Sequence, residues 1–296
     1  MREDRLKFGT IVIATDLGTT ASTALRYGQA IARLHGSTLV IVHAIDPVAY
    51  AFPEGAPEEI AAHKVAREEL KKFEEETRRE GIQVHSVVTS GVICDRILQA
   101  VQDHHADLLI LGTRARSEAG QVALGTVARQ LLARTPCPIL AISPNADAHM
   151  RWAGRWRRVL IATDFSAASL TAMGYAHRIA NENLLVLHVL PAVGPMKRSC
   201  LLEKLRFLAP FNESHTVPVE HFVVSGEPGA VIANYAREHH ADLVVLGAPP
   251  DELTPERFHT STVLEVISKA PCPVICVRAS GHVSTMEILE EVSCNR

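Results

Sequence analysis

The sequence has few aromatic residues, no excess of positive charge and no long apolar run, and each absence excludes a class of protein. Aromatic residues make up 5% of the 296 residues and apolar residues 47%, so Val, Ile, Leu and Ala must fill the core. A net charge of −3 offers no electrostatic surface for nucleic acid. No run approaches the ~20 apolar residues of a membrane span, and the charged N-terminus does not resemble a signal peptide. We therefore expect a cytoplasmic protein that binds neither nucleic acid nor membranes.

The sequence also lacks CxxC pairs and the common phosphate-binding motifs. Because cytosolic chains rarely keep disulfides, all six cysteines are predicted to be reduced thiols. The absence of GxxxxGK[ST] argues against a Walker-type ATPase, and no GxGxxG follows a strand, which argues against the usual dinucleotide site. Any phosphate site must therefore be of another kind.

What the chain does contain is two copies of one unit. HHADLLILG at 104–112 recurs as HHADLVVLG at 239–247, and IATD at 13–16 returns at 161–164. Such self-similarity indicates a tandem duplication. The predicted organisation is a first domain at 1–145, a linker at 146–156, a second domain at 157–280 and a C-terminal tail at 281–296.

Strands and helices alternate within each copy. In the first copy, apolar runs typical of strands buried on both faces alternate with helical patterns at about 19–35, 57–80, 92–105 and 124–134. This alternation predicts an α/β fold in which each copy is a five-stranded parallel sheet with helices on both faces, flavodoxin-like or Rossmann-like. Ligands of such sheets bind beyond the carboxyl ends of the strands, where the strand order reverses.

Two features of the first copy point to a ligand at that edge. Asp16 ends the first strand, where its carboxylate can accept hydrogen bonds from ribose hydroxyls or hold a cation; the alternative is a cap for the next helix. Gly112 lets the chain turn out of the fourth strand, and Gly125-Thr126 begins the last helix, whose N-terminal N–H groups can hold an anion. The alternative for 112–126 is a plain turn from strand to helix.

These features together resemble the universal stress protein family over nearly the whole chain. Each copy has a first strand ending in Asp, a Gly turn after the fourth strand and a Pro-Cys-Pro entry to the fifth. Family members that bind ATP carry Gly, two residues, Gly, nine residues, and then Gly followed by Ser or Thr. Here the pattern falls on Gly112, Ala115, Gly125 and Thr126 with both spacings intact. Ala115 departs from it, and its Cβ crowds a phosphate only if the site requires a positive φ there.

The resemblance implies an ATP site in the first domain, with or without Mg²⁺. The base and ribose would lie near Thr15, Asp16 and Ala44, at the ends of the first two strands. The remaining implied contacts come from the loop and the helix that follows it: Gly112, Arg114, Ala115, Gly125, Thr126 and Val127. Asp16 would contact the ligand and not act as a nucleophile. No residue has the pattern of a general base, so at most weak ATP hydrolysis is expected.

The second copy preserves little of this pattern. Its matching positions are Gly247, Pro250, Thr260 and Ser261, and Pro250 has no backbone N–H to donate. The loop also changes from a net charge of +1 in the first copy to −2 in the second. Exposed charges are worth only ~1 kcal/mol or less each, so this is a secondary effect. The second site is predicted to be degenerate.

The repeated histidines are predicted to be structural. His104-His105 and His239-His240 are each followed two residues later by Asp, and a metal site is the alternative. Adjacent histidines on a helix point in different directions, however, and a histidine near a helix C-terminus interacts favourably with its dipole. His43 and His188 close the second strands and are predicted to pack there.

Three functions are compatible with these residues. The leading one is a cytosolic stress-response protein that binds ATP in its first domain and whose occupancy modulates contacts with unidentified protein partners. The alternatives are a nucleotide-independent dimeric interaction scaffold and a slow ATPase. Because dimers of the family commonly pair their fifth strands, the resemblance also implies a pseudo-twofold association of the two domains within one chain, and it leaves a homodimer of the whole chain open.

Overall fold

The structure is a computed structural model that describes residues 6–46, 57–113, 125–146, 153–190, 198–210, 217–248 and 262–279. It separates into two compact units, which we call the first and second domains. The first is Lys7–Pro144 and the second contains the described residues from Asn145 onward. Over the described ranges, no helix is both long and apolar enough to cross a membrane.

The first domain has the predicted α/β architecture. Its strands pair in the order β3-β2-β1-β4-β5, and every pair is parallel. The helices lie within two residues of their predicted bounds. The elements in chain order are β1 (Thr10–Ala14), α1 (Thr19–His35), β2 (Thr38–Ile45), α2 (Pro57–Arg79), β3 (Val84–Ser90), α3 (Ile93–Asp103), β4 (Leu108–Gly112), α4 (Thr126–Arg134) and β5 (Ile139–Ile142).

The central strands of this sheet are buried on both faces. Ile11, Val12 and Ile13 of β1 are fully buried, as are the first three residues of β4. Burying one such side chain contributes about 1.5–3 kcal/mol, so these strands fix the sheet order. The helix that follows β1 ends at Gly36, whose φ of 70° suits glycine and whose N–H donates to Ala32 O at 2.8 Å. Because β1 and β4 are parallel neighbours, their carboxyl ends lie side by side.

The second domain repeats this topology. Its strands are parallel in the order β8-β7-β6-β9-β10. The elements in chain order are β6 (Arg158–Ala162), α5 (Ala167–Ile179), β7 (Asn183–Leu190), α6 (Arg198–Leu208), β8 (Val219–Ser225), α7 (Pro228–Glu238), β9 (Leu243–Ala248), α8 (Thr262–Lys269) and β10 (Val274–Arg278). The duplication read from the sequence is therefore a duplication of the fold.

The Asp of the repeated HHAD segment bonds to the start of the central strand. Asp107 Oδ2 accepts hydrogen bonds from the N–H groups of Gly9 at 2.8 Å and Thr10 at 2.9 Å. Asp242 Oδ2 accepts two bonds of 3.1 Å, from the N–H groups of Arg157, just before β6, and Arg158, its first residue. These carboxylates lie at the amino edge of each sheet, away from the edge where ligands bind.

The histidines of the same segment lie at the C-terminal ends of helices. The second of each pair, His105 or His240, has a left-handed φ of 47° or 52°, which stops the helix. His104 packs beside His85 at 5.0 Å between ring centroids, and His239 stacks on Tyr235 at 4.0 Å. In the part of the chain that the structure describes, no three His, Cys, Asp or Glu residues are grouped so that they could hold a metal ion.

The cysteines differ from one another more than the sequence indicated. Cys94, Cys137, Cys272 and Cys276 are free thiols, and burial raises the pKa of each. Cys200, in the first turn of α6, is disulfide-bonded. The prediction of six reduced thiols is wrong for this residue, because it considered the compartment alone, whereas pairing depends on which Cβ atoms the fold brings together.

Candidate functional site

A cavity of about 260 Å³ opens at the carboxyl edge of the first domain's sheet. At this edge β1 lies between β2 and β4, and Ala14 at its end is opposite Val42 and Leu111. The chain leaves β1 toward one neighbour and returns to the other, so this is the point where the strand order reverses. The cavity is lined by Ala14, Thr15, Asp16, Ala21, Ala44, Ile93, Ile97, Leu111, Gly112, Gly125, Thr126, Val127, Ala128 and Leu131.

Seven of the nine residues predicted from the sequence line this cavity. They are Thr15, Asp16, Ala44, Gly112, Gly125, Thr126 and Val127. The other two, Arg114 and Ala115, lie outside the described residues. The structure thus brings the ends of three strands and the start of one helix to a single concave surface.

The turn between β1 and α1 carries Asp16 to the rim of the cavity. Leu17 has a φ of 61°, a conformation that costs a residue other than glycine about 1–2 kcal/mol. Two side chains stabilise it: Thr15 Oγ1 accepts from the Leu17 N–H at 3.0 Å, and Asp16 Oδ1 accepts from the Gly18 N–H at 2.9 Å. One carboxylate oxygen of Asp16 therefore stabilises the turn that precedes α1, while the residue itself borders the cavity.

The N-terminus of α4 supplies backbone donors. Gly125 is the N-cap and provides no side-chain cap, and the first helical bond runs from Arg129 N to Gly125 O at 3.1 Å. The N–H groups of Thr126, Val127 and Ala128 precede that bond, so they have no acceptor within the helix. All three residues line the cavity. An anion in the cavity can accept these hydrogen bonds.

Gly125 is not required by the backbone. Its φ of −62° and ψ of 156° are open to any residue, and a Cβ built on it meets no described atom within 4 Å. Among the residues that the structure describes, neither strain nor packing therefore explains a glycine at this position. The space that its Cβ would enter is space that a ligand can fill.

An apolar wall faces the polar residues of the cavity. It is formed by Ile93 and Ile97 of α3 together with Leu131 of α4 and Leu111 of β4. Sequence reasoning missed these residues, although Ile93 and Ile97 are four positions apart on a predicted helix and therefore share one face. The wall suits a flat apolar ring.

The second domain keeps the same turn but surrounds it differently. Phe165 has a φ of 66° and donates its N–H to Thr163 Oγ1 at 3.0 Å. Ser166 and Ser169 stand where the first domain has Gly18 and Ala21. Ser169 Oγ lies 2.9 Å from Thr163 Oγ1, and Ser166 Oγ accepts from the Ser169 N–H at 3.3 Å. Ser169 thus has a hydroxyl where the first domain has the methyl group of Ala21, which lines the cavity.

The same serines act on Asp164. Partial desolvation raises the pKa of this carboxyl, but hydrogen bonds from Ser166 and Ser169 outweigh that effect and hold the pKa below its ordinary value. The Asp164 carboxylate is thus hydrogen-bonded to residues at the start of α5.

The backbone of helix α5 lies against β9 at this point. A Cβ on Gly247 would be 2.7 Å from Ala168 O and closer still to Ala168 C and Ser169 N. The backbone of α5 therefore rests directly on Gly247, which corresponds to Gly112 of the cavity. The prediction of a degenerate second site relied on Pro250, Thr260 and Ser261, which lie outside the described residues. That prediction overlooked two serines: Ser166, the N-cap of α5, and Ser169 in the first turn of the helix.

The two domains resemble known proteins in sequence and fold. A model of the universal stress protein family matches residues 7–143 and again 155–278. The chain belongs to the universal stress protein family. The two matched segments confirm the tandem organisation inferred from the repeats.

Individual members of the universal stress protein family match one domain or the whole chain. A protein of Thermus aquaticus is 31% identical over 135 residues, which are 46% of this chain and 98% of that protein. A protein of Mycolicibacterium smegmatis is 24% identical over 293 residues, which cover 90% of this chain and 96% of that protein. The crystal structure of a universal stress protein from Archaeoglobus fulgidus has 19% identity and a TM-score of 0.75, covering 92% of this chain and 98% of that one. That likeness is one of fold.

Proposed function

We propose that the first domain binds an adenine nucleotide, ATP in particular, and that occupancy changes the contacts of the chain with other proteins. The observation that carries this proposal is the cavity where the strand order reverses. Three N–H groups that have no acceptor within their own helix lie at this cavity, and so does the open side of Gly125. Such a site holds an anion at one end and an apolar ring at the other.

In this proposal the phosphates accept hydrogen bonds from the N-terminal N–H groups of α4. The ribose lies beside Asp16, whose carboxylate accepts from its hydroxyls, and the base lies near Ala44 and Thr15 against the apolar wall. Any Mg²⁺ would be bound through the triphosphate. Asp16 acts as a binding group whose carboxylate accepts hydrogen bonds from the ligand and takes no part in bond breaking.

Calorimetric titration of the purified, nucleotide-stripped chain with ATP, with and without Mg²⁺, tests the proposal. The key variant is Gly125→Ala, since its methyl group enters the open space without touching the described protein. The loss of a glycine N-cap and the gain from a less flexible unfolded chain are each under about 1 kcal/mol and oppose one another. We expect a stability close to that of the wild type and an affinity at least about tenfold lower, that is, a loss of about 1.4 kcal/mol. Gly125→Asp, which adds a negative charge, should abolish binding.

Gly174→Ala is the matched control. Gly174 lies in α5 of the second domain, and its Cβ would also meet no described atom within 4 Å. This variant should bind ATP as the wild type does. Absence of saturable binding to the wild type would contradict the proposal, and equal affinities of the wild type and Gly125→Ala would place the nucleotide elsewhere.

The coupling to other proteins needs a separate measurement. Proteins captured on the immobilised chain should differ with and without ATP, and Gly125→Asp should give the ATP-free set under both conditions. An identical set in every arm would contradict the coupling and would favour a nucleotide-independent scaffold.

A further inference from the structure

The imidazole of His43 bonds to the backbone of the β1–α1 turn. His43 lies near the end of β2, and its Nδ1 is 2.9 Å from the carbonyl oxygen of Thr15. Because a carbonyl oxygen only accepts, Nδ1 must carry a proton. The N–H of Thr15 donates to Val42 O at 3.0 Å. Neighbouring residues of β2 thus hold Thr15 through both its N–H and its carbonyl group.

The carbonyl that His43 holds belongs to the peptide joining Thr15 to Asp16. Rotation of this peptide would move Asp16 relative to the cavity and would disturb the left-handed residue, Leu17, that follows. Thr15 is 8% exposed, so water has little access to replace the ring as donor. A buried carbonyl without its partner costs about 1–3 kcal/mol, which is enough to favour another orientation of the peptide.

The second domain contains the same bond. His188 Nδ1 is 2.7 Å from Thr163 O, and the ring of His188 packs against Phe165 at 4.6 Å between centroids. The bond is therefore part of the turn in both copies. Only in the first copy does that turn border the cavity described above.

We propose that His43 is a positioning residue for nucleotide binding. Its Nδ1–H fixes the Thr15–Asp16 peptide and so sets where the Asp16 carboxylate faces the ligand. The inference rests on the proposed function of the first domain. It assigns to His43 more than the packing role that its place at a strand end predicts.

Three variants test this role, each by ATP titration and thermal unfolding of the full chain. His43→Leu removes the donor and keeps an apolar side chain, so ATP affinity should fall about tenfold, as expected from the loss of one oriented contact. His43→Asn keeps an N–H at about the position of Nδ1, and its affinity should stay within about threefold of the wild type. His188→Leu is the matched control, which should lose as much stability as His43→Leu and bind ATP normally.

Long-range ¹H–¹⁵N spectra of the histidine rings supply a signature that does not depend on ligand. In its neutral form His43 should carry its proton on Nδ1, and so should His188. If His43→Leu does not fold, the spectra and His43→Asn decide. A proton on Nε2 of neutral His43 would overturn the inference.

The outcomes separate this inference from the proposed function. If the wild type fails to bind ATP, the proposed function fails and the role of His43 with it. If the wild type binds and His43→Leu binds equally well, only the role of His43 fails. That role also fails if His43→Asn binds as weakly as His43→Leu, or if His188→Leu weakens binding as much.

Discussion

The two domains share one backbone turn and differ in what surrounds it. In both, a Thr hydroxyl, an Asp carboxylate and a His ring hold a left-handed residue after the first strand. In the first domain, Gly18 and Ala21 accompany a cavity. In the second, Ser166 and Ser169 add hydroxyl bonds, and α5 rests on the sheet. The turn is thus a property of the fold, and the domains differ in the residues at the positions of Gly18 and Ala21.

This difference has an energetic meaning. Hydrogen bonds within a protein contribute about 0.5–1.5 kcal/mol each, and closely packed backbone gains dispersion energy as well. The second domain uses the edge of its sheet for internal stability. The first domain has a cavity at the corresponding edge of its sheet.

The largest expected effect is that of Gly247→Ala. The methyl group would collide with the backbone of Ala168 and Ser169, and backbone cannot move aside as a flexible side chain can. Overpacking of this kind costs about 1–3 kcal/mol. Chemical denaturation should show the loss. Gly125→Ala in the first domain should be nearly neutral by the same measurement, and a Gly247→Ala protein as stable as the wild type would contradict the close packing of α5 on β9.

The next effect compares two equivalent carboxylates. Asp242 is buried and Asp107 is exposed, yet each accepts two backbone N–H bonds. Hydrogen bonds to a charged group contribute about 1.5–3 kcal/mol, and water can replace them only where it has access. Asp242→Ala should therefore lower the free energy of unfolding more than Asp107→Ala, by about 1 kcal/mol or more. Equal losses of unfolding free energy in the two variants would contradict the expected effect of burial.

A third prediction transfers the hydroxyls of the second domain to the first. Gly18→Ser combined with Ala21→Ser should let the new hydroxyl at position 21 bond to Thr15 Oγ1, as Ser169 bonds to Thr163. The cavity should become smaller and ATP affinity should fall about fivefold, a change of about 1 kcal/mol. Titration measures the change. A variant that binds as tightly as the wild type would show that these two positions do not separate the domains.

The smallest effect is a change in pH dependence. Asp164 has a lowered pKa, so it contributes stability above its ordinary value of 3.8 and loses it as the pH falls through the lower folded value. Ser166→Gly with Ser169→Ala removes the side-chain bonds that lower this pKa. The unfolding midpoint should then shift less between pH 6 and pH 3 than in the wild type. A larger shift in the variant would contradict this assignment.

Patterns extending over many residues made the fold and much of the site predictable. Continuous apolar strands, the repeated segments and the spacing from Gly112 to Thr126 led to the parallel sheet and to seven residues of one cavity. Contacts between elements distant in the chain were not predictable in this way. Nothing in the sequence shows that α5 rests on Gly247, that His43 reaches Thr15, or that Cys200 is disulfide-bonded. The pseudo-twofold association, the homodimer and the cytoplasmic location stay predictions.

The bond from Asp107 to the start of β1 also bears on how the protein is made. It joins residues 98 positions apart. Of the two strands that pair with β1, β2 is synthesised soon after it and β4 much later. At about 5–20 residues per second, the first strand waits about 5–20 s on the ribosome for its second neighbour. During that time one edge of β1, whose Ile11, Val12 and Ile13 are fully buried in the folded domain, is unpaired. The opening segment of each domain is thus where a nascent chain most needs protection from wrong partners.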